Sequence, residues 1–183
     1  GNATMVDADG LLKWAPHNLL SYSEDFTNAA WDKSDATVVA DVVAAPFGSS
    51  TASKVTPEAV SAFQHGVDRI VSVAGSTNFA VYAKAAEYDF VAIIFNNGSG
   101  QAVCFDLANG VISSDTNGEG SSIEDIGGGW YLCVAGQTTV GNNRVAISPQ
   151  LDGTVDTYTP DGTSGVYIWG AHAYRSDLGG MVN

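Results

Sequence analysis

Tyr167 and Trp169 stand two residues apart in GVYIWGAHAY (165–174). In an extended strand, alternate residues share a face. Both rings then point one way, with Ala171, while Val166, Ile168 and Gly170 point the other. Paired flat rings suit a sugar, whose axial C–H face packs on an aromatic ring through dispersion and the ring quadrupole. Two more segments supply partners. In FAVYAKA (79–85), Phe79, Val81 and Ala83 make the core side, which leaves Tyr82 and Lys84 outward. In RVAISPQL (144–151), Val145, Ile147 and Leu151 face in and Arg144, Ser148 and Gln150 face out. The expected ligand-binding set is Tyr82, Lys84, Arg144, Gln150, Tyr167 and Trp169, gathered on one concave face. The competing reading makes the outward aromatics a covered second core. Trp130 shares the phase of Leu132 and Val134 and is expected in the core. Trp31 is expected to plug one end of the domain, and Trp14 to pack against a neighbouring subunit or domain.

Other reactive side chains carry less. DTNGEGSSIEDI (115–126) starts like a calcium loop, with Asp115, Asn117, Glu119 and Gly120 in register. It has Ser122 at the eighth place and Ile126 at the twelfth, where a glutamate belongs, so it reads as a polar hairpin loop. Asp152, Asp156 and Asp161 form a second oxygen-rich stretch. His17, His65 and His172 lack zinc spacing. His172 shares the phase of Ile168 and reads as a core or rim residue, and His65 as a hydrogen-bonding rim residue. Cys104 and Cys133 lie in apolar runs and read as two buried free thiols. No G-x-S-x-G, H-E-x-x-H or P-loop is present. The carboxylates inside apolar runs are Asp68, Asp106, Glu124 and Asp125. A glycosidase needs two carboxylates across a cleft, and no pattern pairs them, so the chain reads as a non-enzyme.

These side chains must be positioned by strands. Short β-branched or aromatic runs recur between Gly, Asn, Asp and Pro punctuation. They fall at 37–44, 52–56, 66–74, 78–86, 90–96, 102–108, 121–127, 129–137, 144–151 and 165–174, with a further extended stretch at 17–26. No helical period and no strand–helix alternation appears. The expected class is all-β, a two-sheet antiparallel β-sandwich.

The 183 residues suffice for one domain, and 45% hydrophobic content supplies its core. Only 15% are charged, below the roughly 25% of an average domain, so amides, hydroxyls and glycine build the surface. Twenty acidic against seven basic residues leave a net charge of −13. Such a chain repels nucleic acid and anionic membranes, which leaves neutral sugars, cations or basic protein surfaces as partners. No run of 18 apolar residues offers a membrane helix.

NLLSYSEDFTNAAW (18–31) resembles the opening N-L-L-x-N-G-D-F-E…W of jelly-roll carbohydrate-binding modules, and GVYIWGAHAY resembles their closing strand, usually Y-I-D-D-V. FAVYAKAAE (79–87) and IEDIGGGWYLCVAG (123–136) look like the F-S-V-Y-A-K-A-G and D-x-G-N-G-W-Y-R-C segments of such domains in bacteriophage tail and virion proteins. DADGLLKWAPHNLL (7–20) is similar to their leaders. The resemblance implies a β-jelly roll at 17–176, a leader or linker at 1–16 and the start of a C-terminal linker at 177–183. It also implies binding of a polysaccharide or host-surface glycan, a virion or extracellular location, and other virion subunits or domains as partners. Such modules often hold a structural Ca²⁺ through the Glu of G-D-F-E and an Asp of the closing pair. Here those positions read Thr27 and Trp169 or Gly170, so Asp25 is the metal candidate that remains and no cofactor is required. The rival functions are a structural or decoration domain of a virion and a polysaccharide-degrading enzyme.

Overall fold

A computed structural model describes residues 4–6, 10–14, 18–48, 51–73, 75–96, 100–117, 120–138 and 141–176. Among them are fourteen strands and no α-helix. A short pair, β1 (Thr4–Val6) and β2 (Leu12–Trp14), forms its own two-stranded sheet. The first six-stranded sheet holds β3 (Asp32–Ser34), β6 (Gly66–Val73), β8 (Phe90–Asn96), β9 (Gln101–Asp106), β10 (Val111–Asp115) and β13 (Gly141–Gln150). Its order is β10-β9-β8-β13-β6-β3. The second holds β4 (Ala36–Ala44), β5 (Thr51–Pro57), β7 (Thr77–Ala85), β11 (Ser122–Gly127), β12 (Trp130–Gln137) and β14 (Val166–Arg175). Its order is β11-β12-β7-β14-β5-β4, and every pairing is antiparallel. The chain is a two-sheet β-sandwich of the jelly-roll class.

Period-two alternation builds the core. Val91, Ile93 and Phe95 of β8 and Val103 and Phe105 of β9 meet Phe79, Val81 and Ala83 of β7 and Val166 and Ile168 of β14 in one buried cluster. Each such side chain contributes roughly 1.5–3 kcal/mol by leaving water. Trp31 sits in this cluster beside Phe26, with ring centroids 5.0 Å apart. Its indole N–H donates to the Tyr22 carbonyl at 2.9 Å.

The structure departs from the sequence reading at several strands, β1, β2 and β3 among them. The stretch expected to be extended at 17–26 holds no strand among its described residues; residues 18–31 form turns and bends. They still lie beside β14, because Leu19 N–H donates to Ala173 O at 2.7 Å and Ala171 N–H to Ser23 O at 2.9 Å. β10 is an additional strand, hidden in sequence because VISSD carries two hydroxyls and an acid among five residues. β14 in turn carries a register shift between Trp169 and His172. Gly170 sits there at φ +58°, the left-handed region that glycine enters without steric cost. The extra residue inverts the alternation. Val166 and Ile168 face the core before the shift, and Ala171 and Ala173 face it after. His172 therefore lies on the outer face with Tyr167 and Trp169, not on the side of Ile168.

Candidate functional site

The outer face of the second sheet carries four of the six expected ligand residues. Register places Tyr167 of β14 opposite Lys84 of β7, and Trp169 opposite Tyr82. The Tyr82 ring does not stand open, and Tyr167 and Trp169 are half-buried. Tyr82 is 4% exposed and packs with Ala52 and Trp130, with Leu132, Tyr167 and Trp169 against that group. The Phe47 ring, beyond the end of β4, closes over it at 5.4 Å from Tyr82 and 6.1 Å from Trp169, and is itself 44% exposed. The Tyr82 and Trp169 rings are 5.4 Å apart. The face is thus a second apolar layer lidded by Phe47. Trp130 is buried, as expected, but in this layer and not between the sheets. Lys84 lies along the 127–129 turn and donates to Gly128 O at 2.8 Å.

Arg144 and Gln150 are on β13 of the other sheet, so the six residues cannot share one face. Strand phase told in from out but not which sheet a strand joins. Arg144 bonds the fully buried Asp68 carboxylate and reaches Asp32 at 3.4 Å. Asp68 also accepts from Ser34 at 2.7 Å and Gln64 at 3.1 Å. Gln150 is 1% exposed and donates to Ser148 Oγ at 3.0 Å. Gln150 is therefore closed to solvent, whereas Arg144 stays half-exposed within its ion pairs. His65 is fully buried against Tyr158, not at a rim, with Nε2 3.1 Å from Ala62 O and Nδ1 3.4 Å from Asp35 O.

The outer face of the first sheet carries an apolar patch of small side chains beside the Arg144–Asp68 pair: Ala92 and Ile94 of β8, Ala102 and Cys104 of β9, and Ala146 of β13, with Val155 against them. The connection after β13 passes over this surface. At Gly153 a Cβ would fall 1.9 Å from Ser113 Oγ and 3.1 Å from Ser113 Cβ, so any side chain here would push the Ser113 hydroxyl aside. Between that connection and the sheet runs an open groove of about 310 Å³, lined by Phe63, Gly100, Ala102, Ser114, Thr116, Thr154, Val155 and Asp156. Phe63 is 40% exposed. Ser114 reaches the groove through a register shift in β10 between Ile112 and Ser114. Ile112 opposes the inward Phe105, whereas Ser114, after the extra residue, opposes the outward Cys104. The Thr154 hydroxyl lies 2.6 Å from an Asp152 oxygen and 3.0 Å from an Asp156 oxygen, which fixes the acidic rim. None of these lining residues was in the sequence-derived set. Phe63 lies in SAFQHG, outside every strand, and a lone aromatic there was the available signal.

Among the described residues no three His, Cys, Asp or Glu side chains gather to hold a metal. Asp25 accepts from Thr27 Oγ1 at 2.6 Å and from the Thr27 and Asn28 amides at 3.2 Å, closing its own turn. The Thr27 hydrogen bond holds its carboxyl below the usual range. Asp161 bonds Ser164 and Thr163 and forms no group with Asp152 and Asp156. Among the acids inside strands, Asp106 caps its turn through Asn109. Cys104 and Cys133 are free and buried, and burial pushes the Cys104 thiol up to about 12. His17 and Glu119 lie outside the described residues, as do 1–3, 7–9, 15–17 and 177–183 at the two ends; the Trp14 side chain is likewise not described.

No protein-family model matches the chain, and no curated protein is similar to it. Solved structures are. The CBM22-1 xylan-binding domain from Paenibacillus barcinonensis Xyn10C superposes with a TM-score of 0.50 at 12% identity, over 87% of this chain and 95% of that one. TmCBM61, in complex with β-1,4-galactotriose, also gives 0.50 at 12%, over 87% of this chain and 99% of that one. The enzymatically active domain of bacteriophage CBA120 tailspike protein 4 gives 0.44 at 14%, over 85% of this chain but 21% of its own, too low to build on. At such identities the likeness establishes the fold.

Proposed function

We propose that this jelly roll is a non-catalytic glycan-binding module whose ligand lies in the groove at Phe63. The observation that carries the reading is that groove itself. It combines a half-open aromatic ring, an apolar floor at Ala102 and Val155, and polar groups from Ser114, Thr154 and Asp156. Its volume of about 310 Å³ sits at the low end of the roughly 300–1,000 Å³ usual for ligand sites. The apolar face of a sugar ring would rest on Phe63, and its hydroxyls would donate to Asp156 and exchange hydrogen bonds with Ser114. A net charge of −13 favours a neutral glycan over an acidic one. Two solved domains of the same fold are a xylan-binding domain and a module holding β-1,4-galactotriose.

The phage-like order of sequence motifs supports display on a virion or tail, where many copies would raise a weak single-site affinity. Binding of the purified chain to an array of neutral polysaccharides, with no release of reducing ends, tests this reading. Phe63→Ala should weaken binding about tenfold, the loss of one ring contact of roughly 1.4 kcal/mol. A binding-silent array, or an unaffected Phe63→Ala protein, would refute it.

A second reading, a packing unit of a larger assembly, is favoured by Val39, Val42 and Phe47, which stand exposed on and just beyond edge strand β4. A stable oligomer dispersed by Val39→Lys would support it.

A further inference from the structure

The two walls of the groove come from connections far apart in sequence. Phe63 belongs to the stretch between β5 and β6, and Thr154, Val155 and Asp156 to the stretch between β13 and β14. An antiparallel bridge ties these stretches to each other, Ala62 to Tyr158. Ala62 N–H donates to Tyr158 O and Tyr158 N–H to Ala62 O, each at 3.2 Å. The bridge stands next to Phe63 on one side and close after Asp156 on the other. His65 closes it. Its ring is fully buried and meets the Tyr158 ring edge-on, with centroids 4.7 Å apart. Nε2 lies 3.1 Å from Ala62 O and 3.3 Å from Tyr158 O, the same two carbonyls that make the bridge. Carbonyl oxygens only accept, so Nε2 carries a proton and shares it between the two connections. His65 is itself fixed to β13: its N–H donates to Ser148 Oγ at 3.2 Å, and its carbonyl accepts from that hydroxyl at 2.8 Å. Tyr158 is fixed to the same strand, its hydroxyl donating to Pro149 O at 2.6 Å. On the other side of Phe63, Gln64 donates to the buried Asp68 carboxylate at 3.1 Å.

We infer that His65 and Tyr158 are positioning residues for the glycan. They hold Phe63 and the 154–156 wall at a set spacing, so that the groove is formed before a sugar enters. The inference rests on the glycan-binding reading given above and adds to it what keeps the site in shape. Neither residue is among those lining the groove, so each acts through the backbone of its connection. Phe63 stands 40% exposed on an irregular connection. An aromatic so placed would ordinarily move, and ordering it on binding would weaken the complex. Here the backbone is tied down on both sides of it, at Ala62 and at Gln64, which leaves little beyond the ring's own torsions to settle.

The test has one arm without ligand and one with it. In the free full-length chain, amide hydrogen exchange at Ala62 and Tyr158, read by ¹⁵N NMR, should be about three- to tenfold faster in His65→Leu than in wild type, the worth of one hydrogen bond. In the second arm, xylohexaose and, separately, β-1,4-galactotriose are titrated calorimetrically at a temperature well below every melt. His65→Leu and Tyr158→Phe should each bind about two- to tenfold more weakly than wild type, the cost of ordering one freed side chain on binding. His65→Gln keeps an N–H donor at the place of Nε2 and should stay within about twofold of wild type. Should His65→Leu fail to fold, Tyr158→Phe decides the comparison. A folded His65→Leu or Tyr158→Phe protein that binds like wild type, even with a lowered melt, would show a purely structural clamp. That result would overturn the inference and leave the glycan reading standing. A His65→Gln protein as weak as His65→Leu would overturn it as well, since the shared proton would not be what matters. Unchanged exchange at Ala62 and Tyr158 in His65→Leu would refute the clamp whatever binds. No binding of either probe by wild type would overturn the glycan reading and this inference together.

Discussion

Tyr82→Ala separates a lidded apolar layer from an open binding platform. The ring is 4% exposed, lies 5.4 Å from Phe47 and 5.4 Å from Trp169, and stands 6.5 Å from His172. Truncating a buried aromatic to alanine costs about 3–5 kcal/mol through lost transfer energy and the cavity left behind. In a domain of this size each kcal/mol lowers the melting temperature by about 2–4 °C, so the variant should melt roughly 6–20 °C lower. Glycan affinity measured well below that melt should stay within about twofold of wild type, because Tyr82 and the groove lie on different sheets. Circular dichroism melts and titration calorimetry on one preparation give both numbers. An unchanged melt with binding abolished would mean that Tyr82 faces ligand, and the packing argument would be wrong.

Other outcomes follow from the same structure. Gly170→Ala should cost about 1–2 kcal/mol, because its left-handed φ is unfavourable for any residue with a Cβ, and that Cβ would also meet Tyr82 Cδ2 at 3.1 Å. A melt equal to wild type would show that β14 does not need the left-handed bulge. Cys104 and Cys133 are buried, and burial raises both thiols. A thiol-selective chromogenic reagent at neutral pH should therefore react with neither until denaturant is added; rapid reaction of the native protein would contradict the packing. Asp25, Asp106, Asp152 and Glu87 are held below their ordinary range by hydrogen bonds from Thr27, Asn109, Thr154 and Lys54 respectively. Above about pH 5 these groups are ionised in folded and unfolded chains alike, and their stabilising contribution is complete. As pH falls further, the unfolded chain takes up protons first and that contribution is lost. The melting temperature should fall as pH drops below about 6.5, where the unfolded chain protonates His172 while burial keeps the folded imidazole neutral, and fall further below about pH 5; a maximum in acid would refute the assignment.

Much of the architecture was readable because alternation is a local signal. FAVYAKA and FVAIIFN could bury one face or two only as strands, and they do. What stayed hidden depends on contacts far apart in sequence or on single-residue irregularities. Phase placed Tyr82, Tyr167 and Trp169 outward, yet nothing local announced that Phe47 would cover the layer they form. Phase likewise placed Arg144 outward, but the sheet that β13 joins is set by its pairing with β6 and β8. A glycine inside a strand is compatible with a bulge or with plain pairing, so the inversion that moves His172 to the outer face could not be read from WGAH. The shift that turns Ser114 to the groove is of the same kind. Phe63 was overlooked because strand phase says nothing about a connection.

The most direct test of the central claim is the contact itself: a structure, or intermolecular ring-proton NOEs, of the chain with a bound neutral oligosaccharide. The account predicts the apolar face of one sugar against the Phe63 ring, with Asp156 and Ser114 at its hydroxyls. A sugar stacked over Tyr167 and Trp169 on the second sheet, with the Phe63 groove empty, would contradict it.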